Sequence, residues 1–144
     1  MDYATTPLWL GSGPSSGKPG LTVIHDAAAW DRVRTALGAE YAAKLAGVTP
    51  DWDASVLLFA RSGATAPETR LRVARLTRSA DVVTVEVALA VDSPSGMSLP
   101  TLVQPWLLAA APRAAFAGAP EVRLVSSGAA ASPDAVTHER TPDP

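Results

Sequence analysis

Cysteine is absent from this chain of 144 residues, and lysine occurs only twice. The absence of cysteine excludes disulfide bridges, thiolate nucleophiles and cysteine-ligated metal centres. The net charge of −2 provides no overall basic field that would collect nucleic acid. No apolar run approaches the roughly 20 residues that span a bilayer, and the N-terminus lacks the basic start and apolar stretch of a signal peptide. We therefore expect neither a nucleic-acid partner nor a transmembrane segment.

A phosphate-binding loop is also missing, although residues 11–20 read GSGPSSGKPG. In a Walker A loop a first glycine lies at a fixed spacing before the Gly-Lys pair, and Ser or Thr follows the lysine. The loop then opens directly into a helix. Here Ser12 and Pro19 occupy those two positions, and a strand-like run follows. Without a helix N-terminus no aligned amide groups are available for a phosphate. The stretch is predicted to be a loop between strands, and no cofactor is expected.

One helical region is predicted on the N-terminal side. Asp26 is a suitable N-cap, and apolar residues from Trp30 to Tyr41 recur every three or four positions on one face. Gly38 interrupts that face. The pattern predicts a helix over about 27–37 that continues or restarts toward residue 45.

Strands dominate the rest of the chain. SVLLFA (55–60) is apolar on both faces, which predicts a central strand covered on both sides. Segments 69–79 and 82–91 alternate and predict a hairpin, and a slip in phase between Val73 and Leu76 indicates a bulge. Pro105 within 101–112 favours an edge strand or a bulge there. Shorter strands are expected at 7–10, 21–25 and 121–127.

These elements predict an α+β domain that is mainly antiparallel sheet, with about six strands and one helical region packed on it. Residues 1–20 are expected to be an N-terminal strand and the Gly/Pro/Ser loop, and residues 21–127 a single domain. Residues 128–144 have no apolar periodicity and are expected to be a disordered tail.

The order of elements resembles the PrcB-type domain, the C-terminal domain of the bacterial protease-complex subunit family. The matching segments are VIHDAAAWDRV (23–33), DWDASVLLFARSG (51–63), TRLRVARLTRSADVVTVEVAL (69–89) and the Pro105-Trp106 pair followed by LLAAAP. The resemblance covers about residues 21–125. It implies a non-enzymatic accessory domain that binds and supports a subtilisin-like protease at the cell envelope. It carries over no catalytic residue, and it implies an envelope or secreted location, with a cytoplasmic one left open.

Asp51, Asp53 and His25 are the candidates for a chemical site. Two carboxylates on one side of an extended segment suit a calcium ion or an acid–base pair, whereas the alternative is a solvated turn capped by aspartate. His25 precedes Asp26, and the other histidine, His138, lies in the expected tail. Alternation places His25 at the end of a strand beside the helix cap, so His25 is interpreted as a structural or surface residue. A small-ligand or metal-binding protein or enzyme using these three residues is the second hypothesis.

Arg70, Arg72 and Trp106 are the candidates for a protein contact. Arg70 and Arg72 share one face of the first hairpin strand, and arginine is common in carboxylate recognition and at interfaces. The alternative is an exposed sheet face charged against aggregation. Trp106, beside Pro105, is either a core residue or an exposed anchor on a docking edge. The leading hypothesis is a non-catalytic protein-binding domain that uses these three residues; a third is a structural domain of a longer envelope protein.

Overall fold

The strands form two five-stranded sheets in a computed structural model that describes residues 2–13, 20–61, 69–91, 104–118, 120–126, 129–130 and 136–139. Two helices and a short 3₁₀ turn complete it. Along the chain the elements are β1 (Asp2–Tyr3), β2 (Thr6–Gly13), β3 (Gly20–Ile24), α1 (Ala27–Ala36), α2 (Ala39–Lys44), β4 (Ser55–Arg61), β5 (Thr69–Ser79), β6 (Val82–Val91), β7 (Gln104–Pro112), the 3₁₀ turn (Arg113–Phe116), β8 (Glu121–Ser126), β9 (Ala129–Ala130) and β10 (Val136–Glu139).

The sheets stack face to face with the helices on one side. The outer sheet has the order β1-β5-β6-β8-β9, and the central sheet has the order β10-β3-β4-β7-β2. Each contains one parallel pair, β6 with β8 and β3 with β10. The α+β class and the mainly antiparallel pairing predicted from the sequence are confirmed, although each sheet is mixed because of its one parallel pair.

The central sheet is buried on both faces, as the apolar composition of β4 predicts. Val56, Leu58 and Ala60 pack with Leu76 and Val85 of the outer sheet in one core cluster. The alternate residues of β4 face the helices in a second cluster, which contains Leu57, Phe59, Trp30 and Leu45. Each fully buried residue of this size contributes about 1.5–3 kcal/mol relative to an exposed position. Two apolar faces on one strand therefore require the three-layer arrangement.

The helical region follows its local sequence signals. The Asp26 carboxylate accepts a hydrogen bond from the amide of Ala29 at 2.8 Å and caps α1. Trp30 is 4% exposed and anchors the helix on the central sheet. Gly38 separates α1 from α2 with a φ of +106°, a conformation that only glycine adopts without strain. The predicted helix, its interruption and its restart are confirmed.

The predicted hairpin is formed by β5 and β6. Their register runs from Thr69 opposite Val91 to Ser79 opposite Val82. It shifts between Val73 and Arg75, where the sequence indicates a bulge. The hairpin is therefore confirmed together with its irregularity.

The prediction that Pro105 marks an edge strand is wrong. Its strand, β7, lies between β4 and β2, inside the central sheet. Pro105 is opposite Ser12 of β2, and pairing with β4 begins only at Trp106. The missing amide hydrogen is tolerated because β7 has one strand neighbour, not two, at Pro105 within the described residues.

The expected disordered tail is corrected in part. β9 pairs with β8, and β10 pairs in parallel with β3, so that His138 lies opposite Val23. Val136 is the apolar member of β10 that packs against the core between the sheets. The other residues of 128–144 lie outside the described residues.

Candidate functional site

The outward face of the outer sheet carries the predicted arginine site. Leu71 and Leu76 of β5 are buried against the central sheet, whereas Arg72 and Arg75 are exposed. Arg72 lies opposite Ala88 of β6, a small side chain that leaves the guanidinium uncovered. Arg70 belongs to the same strand, but its side chain lies outside the described residues. The structure therefore places one of the two predicted arginines on an open surface.

Charges of both signs surround this position. Arg75 forms an ion pair with Asp2 of β1 at 3.2 Å, and Arg123 forms one with Glu121 at 3.1 Å. All four side chains are more than half exposed, so each pair contributes no more than about 1 kcal/mol. For Arg72 the described part of the chain shows no ion pair. The hairpin face therefore presents one exposed arginine without an ion pair among the described residues, in surroundings that carry charges of both signs.

Arg78, unlike the exposed Arg72 and Arg75 of β5, donates hydrogen bonds to backbone carbonyl oxygens. Its guanidinium donates to the carbonyl oxygens of Ala115 at 3.2 Å and Ala117 at 2.6 Å, and its Nε donates to that of Ala80 at 3.0 Å. These bonds tie the hairpin turn to the 3₁₀ turn and its exit. Arg78 therefore holds the fold together and does not belong to the exposed arginine face.

The interpretation of Trp106 as an exposed anchor is wrong. Trp106 is 5% exposed and belongs to the cluster under the helices. Its ring centroid lies 4.9 Å from that of Tyr41, 5.4 Å from Phe59 and 6.4 Å from Trp9. Because β7 is interior, its helix-facing residues must be apolar, and Trp106 fills the space below α2. The core alternative is the one the structure shows.

The structure links the Asp51–Asp53 segment to His25 through Arg113. This guanidinium donates from Nε to the carbonyl oxygen of Trp52 at 2.7 Å and from Nη2 to the carbonyl oxygen of His25. The Asp51 carboxylate accepts a hydrogen bond from the amide of Asp53 at 3.1 Å, which is the capped turn considered above. Within the described residues no three metal-ligating side chains lie together. The arrangement serves backbone capping.

His138 is brought to His25 by the pairing of β10 with β3. The two rings share a hydrogen bond of 3.0 Å between His25 Nε2 and His138 Nδ1. Nothing in the amino-acid sequence indicates this contact, because His138 lies in a segment without apolar periodicity.

A shallow cleft adjoins Asp51 on the side of β2. It measures about 330 Å³, and its lining includes Leu8, Val48, Ser55 and Asp51. Leu8 is 39% exposed, a large apolar side chain on the strand's open face. Asp51 is exposed on the rim, and its carboxylate accepts a hydrogen bond from the amide of Asp53 within the turn.

A second cleft lies between α1 and the ends of β3 and β4. It measures about 440 Å³ and contains Arg32 and Arg61, two arginines that the sequence reasoning did not single out. They are far apart along the chain, and only the packing of α1 on the central sheet brings them to one cleft.

No helix of the described residues has the length and apolarity that a membrane span requires. Comparison of the chain with protein-family models, with curated proteins and with solved structures yields no match.

Proposed function

We propose that this protein is a non-catalytic accessory domain that binds another protein through the outward face of the β5–β6 hairpin. The observation that carries the proposal is the exposed Arg72, which has no ion pair among the described residues and lies on a sheet face that no described element covers. An exposed guanidinium without an ion pair in that position favours a carboxylate-bearing partner surface, because arginine binds carboxylates through two parallel hydrogen bonds.

The composition of this face favours protein over nucleic acid. Asp2, Glu86 and Glu121 lie among its arginines, so the surface is of mixed charge. Sheets that bind nucleic acid stack bases on aromatic rings. The described outward positions of β5, β6 and β8 carry arginine, threonine, alanine, glutamate and valine instead. Mixed charge without aromatic rings is typical of a polar protein contact.

The partner we propose is a subtilisin-like protease of the cell envelope. This part of the proposal depends on the resemblance of residues 21–125 to the PrcB-type domain, which stays a prediction. A flat sheet face suits an accessory role, since it supports a partner by surface complementarity and supplies no reacting group.

Affinity capture from the source organism's envelope fraction tests the proposal. The bait is the tagged chain, and captured serine proteases are identified by labelling with a fluorophosphonate probe. We expect the wild-type chain to retain a labelled protease and the Arg70→Glu/Arg72→Glu variant to lose it, because reversed charges repel an acidic contact.

Lys44→Glu is the matched control. It reverses one exposed charge on α2, on the opposite side of the molecule, and should leave capture unchanged. Capture of the same protease by the double arginine variant would remove the hairpin face from the proposal. Absence of any labelled protease in the wild-type sample would contradict the proposed partner.

A further inference from the structure

We propose that the cleft between α1 and the central sheet binds a small carboxylate with an apolar body. Its volume of about 440 Å³ lies within the range of small-molecule sites, about 300–1,000 Å³. Its lining includes Thr22, Phe59 and Arg61 from the sheet and Arg32, Val33 and Leu37 from α1. The inference goes beyond the protein-binding function and uses none of its residues.

Arg61 is the principal anion-binding group of this cleft. It ends β4 and lies opposite Gly20 of β3 in the sheet register. Residues directly opposite share a face of the sheet, so no side chain opposes Arg61 at this position of β3. The guanidinium carbon of Arg61 lies 5.6 Å from the centroid of the Phe59 ring. This cation–π contact holds the positive charge against the floor of the cleft.

The Nε atom of Arg61 is a donor that lacks an acceptor. It is buried, and it makes no hydrogen bond within the part of the chain that the structure describes. Burial of a charged donor without a partner is unfavourable, and an acceptor that enters the cleft removes that cost. The Nε and one Nη of a guanidinium form a fork that matches the two oxygens of a carboxylate. The unsatisfied donor and the fork of the guanidinium together favour a planar carboxylate as the ligand of Arg61.

The positive charge of the lining favours an anionic ligand, and the apolar residues of the lining favour a ligand with an apolar body. Arg32 adds a second positive charge on the helix side, and the lining contains neither aspartate nor glutamate among the described residues. Val33, Leu37 and Phe59 supply apolar surface next to both arginines. A ligand that meets both requirements carries a carboxylate at one end and an aliphatic or aromatic group at the other.

Such a carboxylate is either a free organic acid or the C-terminus of a peptide. Amide chemical shifts of the full chain are therefore followed by NMR during titration with 3-phenylpropionate, N-acetylphenylalanine, N-acetylphenylalaninamide and inorganic phosphate. We expect saturable shifts in β3, in β4 and in α1 with the two carboxylates, with a Kd on the order of 1 mM or below. The neutral amide should bind at least about tenfold more weakly, since it lacks the charge. Tighter binding of N-acetylphenylalanine would identify a peptide C-terminus, and tighter binding of 3-phenylpropionate a free acid.

Variants assign the site to Arg61. Arg61→Gln should weaken carboxylate binding by about tenfold or more, and Arg61→Lys should restore only part of it, because lysine has no planar fork. Arg34→Gln is the control, since Arg34 lies on the same helix, outside the cleft, in an ion pair of 2.8 Å with Asp31. Arg32→Gln supplies an independent variant if Arg61→Gln does not fold, and should weaken binding several-fold.

Each of the following results would overturn the inference. The first is the absence of saturable shifts at about 10 mM probe, well above the expected Kd. The second is equal affinity for the acid and its amide. The third is unchanged affinity in Arg61→Gln, or phosphate binding as tight as that of the carboxylates, because phosphate makes no use of the apolar wall.

Discussion

The imidazole rings of His25 and His138 meet edge to edge where β10 docks beside β3. His25 Nε2 and His138 Nδ1 are 3.0 Å apart, while the ring centroids are 5.3 Å apart and the ring planes are inclined by 25°. The distance between the centroids exceeds the distance between the nitrogens by about two ring radii. This difference is expected when the rings lie in line, each with a nitrogen directed at the other, and not when they stack face to face. An in-line contact holds one proton between the two nitrogens, and two protonated rings would point donors at each other.

Docking of β10 is therefore expected to weaken in acid. The undocked strand leaves both rings able to take up a proton, whereas the docked pair has room for one proton between the facing nitrogens, so docking strengthens as the pH rises from the acid range. Asp26, next to His25, opposes this effect, and the Arg113 guanidinium, which donates to the His25 carbonyl, reinforces it. Because the contact is exposed, we expect a three- to tenfold change in total, on the scale of about one net hydrogen bond.

Amide hydrogen exchange of residues 136–139, expressed as protection factors at about pH 5 and about pH 7.5, measures this dependence. His138→Gln keeps the ability to form hydrogen bonds but does not titrate, and its protection should not vary with pH over that range. If protection in His138→Gln varied with pH as it does in the wild type, groups other than the two histidines would cause the pH dependence.

Arg113 is expected to be among the most important polar residues for stability. Its guanidinium satisfies carbonyl oxygens of Trp52 and Ser55 as well as His25, and its amide donates to the carbonyl of Ala54. Arg113→Ala leaves these half-buried acceptors without their charged donor and should lower the free energy of unfolding by about 2–4 kcal/mol. Urea denaturation measures the loss.

Arg123→Ala is the comparison for Arg113→Ala. It removes an arginine whose ion pair with Glu121 is more than half exposed, and should cost no more than about 0.5 kcal/mol. Equal losses in the two variants would mean that the carbonyl bonds of Arg113 contribute little.

Local sequence signals were sufficient for the helices and the hairpin. The Asp26 side chain caps α1 through an atom three residues away, and alternation along β5 and β6 depends on neighbours only two positions apart. Gly38 marks the break between the helices because its conformation excludes other residues. Such features are encoded within a few residues, so the sequence alone predicts them.

Contacts between segments that are distant along the chain could not be predicted from the sequence. β10 pairs with β3 across more than a hundred residues, and only Val136 contributes an apolar side chain that packs on the core between the sheets. The interior position of β7 depends likewise on β2 joining its free edge. Arg61 and Arg113 were missed because an arginine that faces a cleft or caps carbonyl oxygens has no distinctive spacing in the chain.

Trp106 should behave as a core residue in stability measurements. Its ring packs against Trp9, Tyr41 and Phe59, so Trp106→Ala should lower the free energy of unfolding by about 3–5 kcal/mol, and Trp106→Phe by much less. Leu8→Ala, at a partly exposed position on β2, should cost less than about 1 kcal/mol. A loss below about 0.5 kcal/mol for Trp106→Ala, measured by urea denaturation, would restore the exposed-anchor interpretation.

Ala80 is a position where the natural residue is not the most stable choice. It is the first residue of the two-residue connection between Ser79 and Val82, and its φ is +53°, the only positive value among the described residues other than glycine. A side chain in the left-handed region costs about 1–2 kcal/mol, and glycine avoids this cost. Part of the gain is offset because glycine has greater conformational freedom in the unfolded chain. Ala80→Gly should therefore raise the free energy of unfolding by about 0.5–1 kcal/mol. Ala88→Gly, the same chemical change within β6, should lower it by a similar amount. Thermal and urea unfolding of the two variants give the answer, and destabilisation by Ala80→Gly would mean that the Ala80 conformation is not strained.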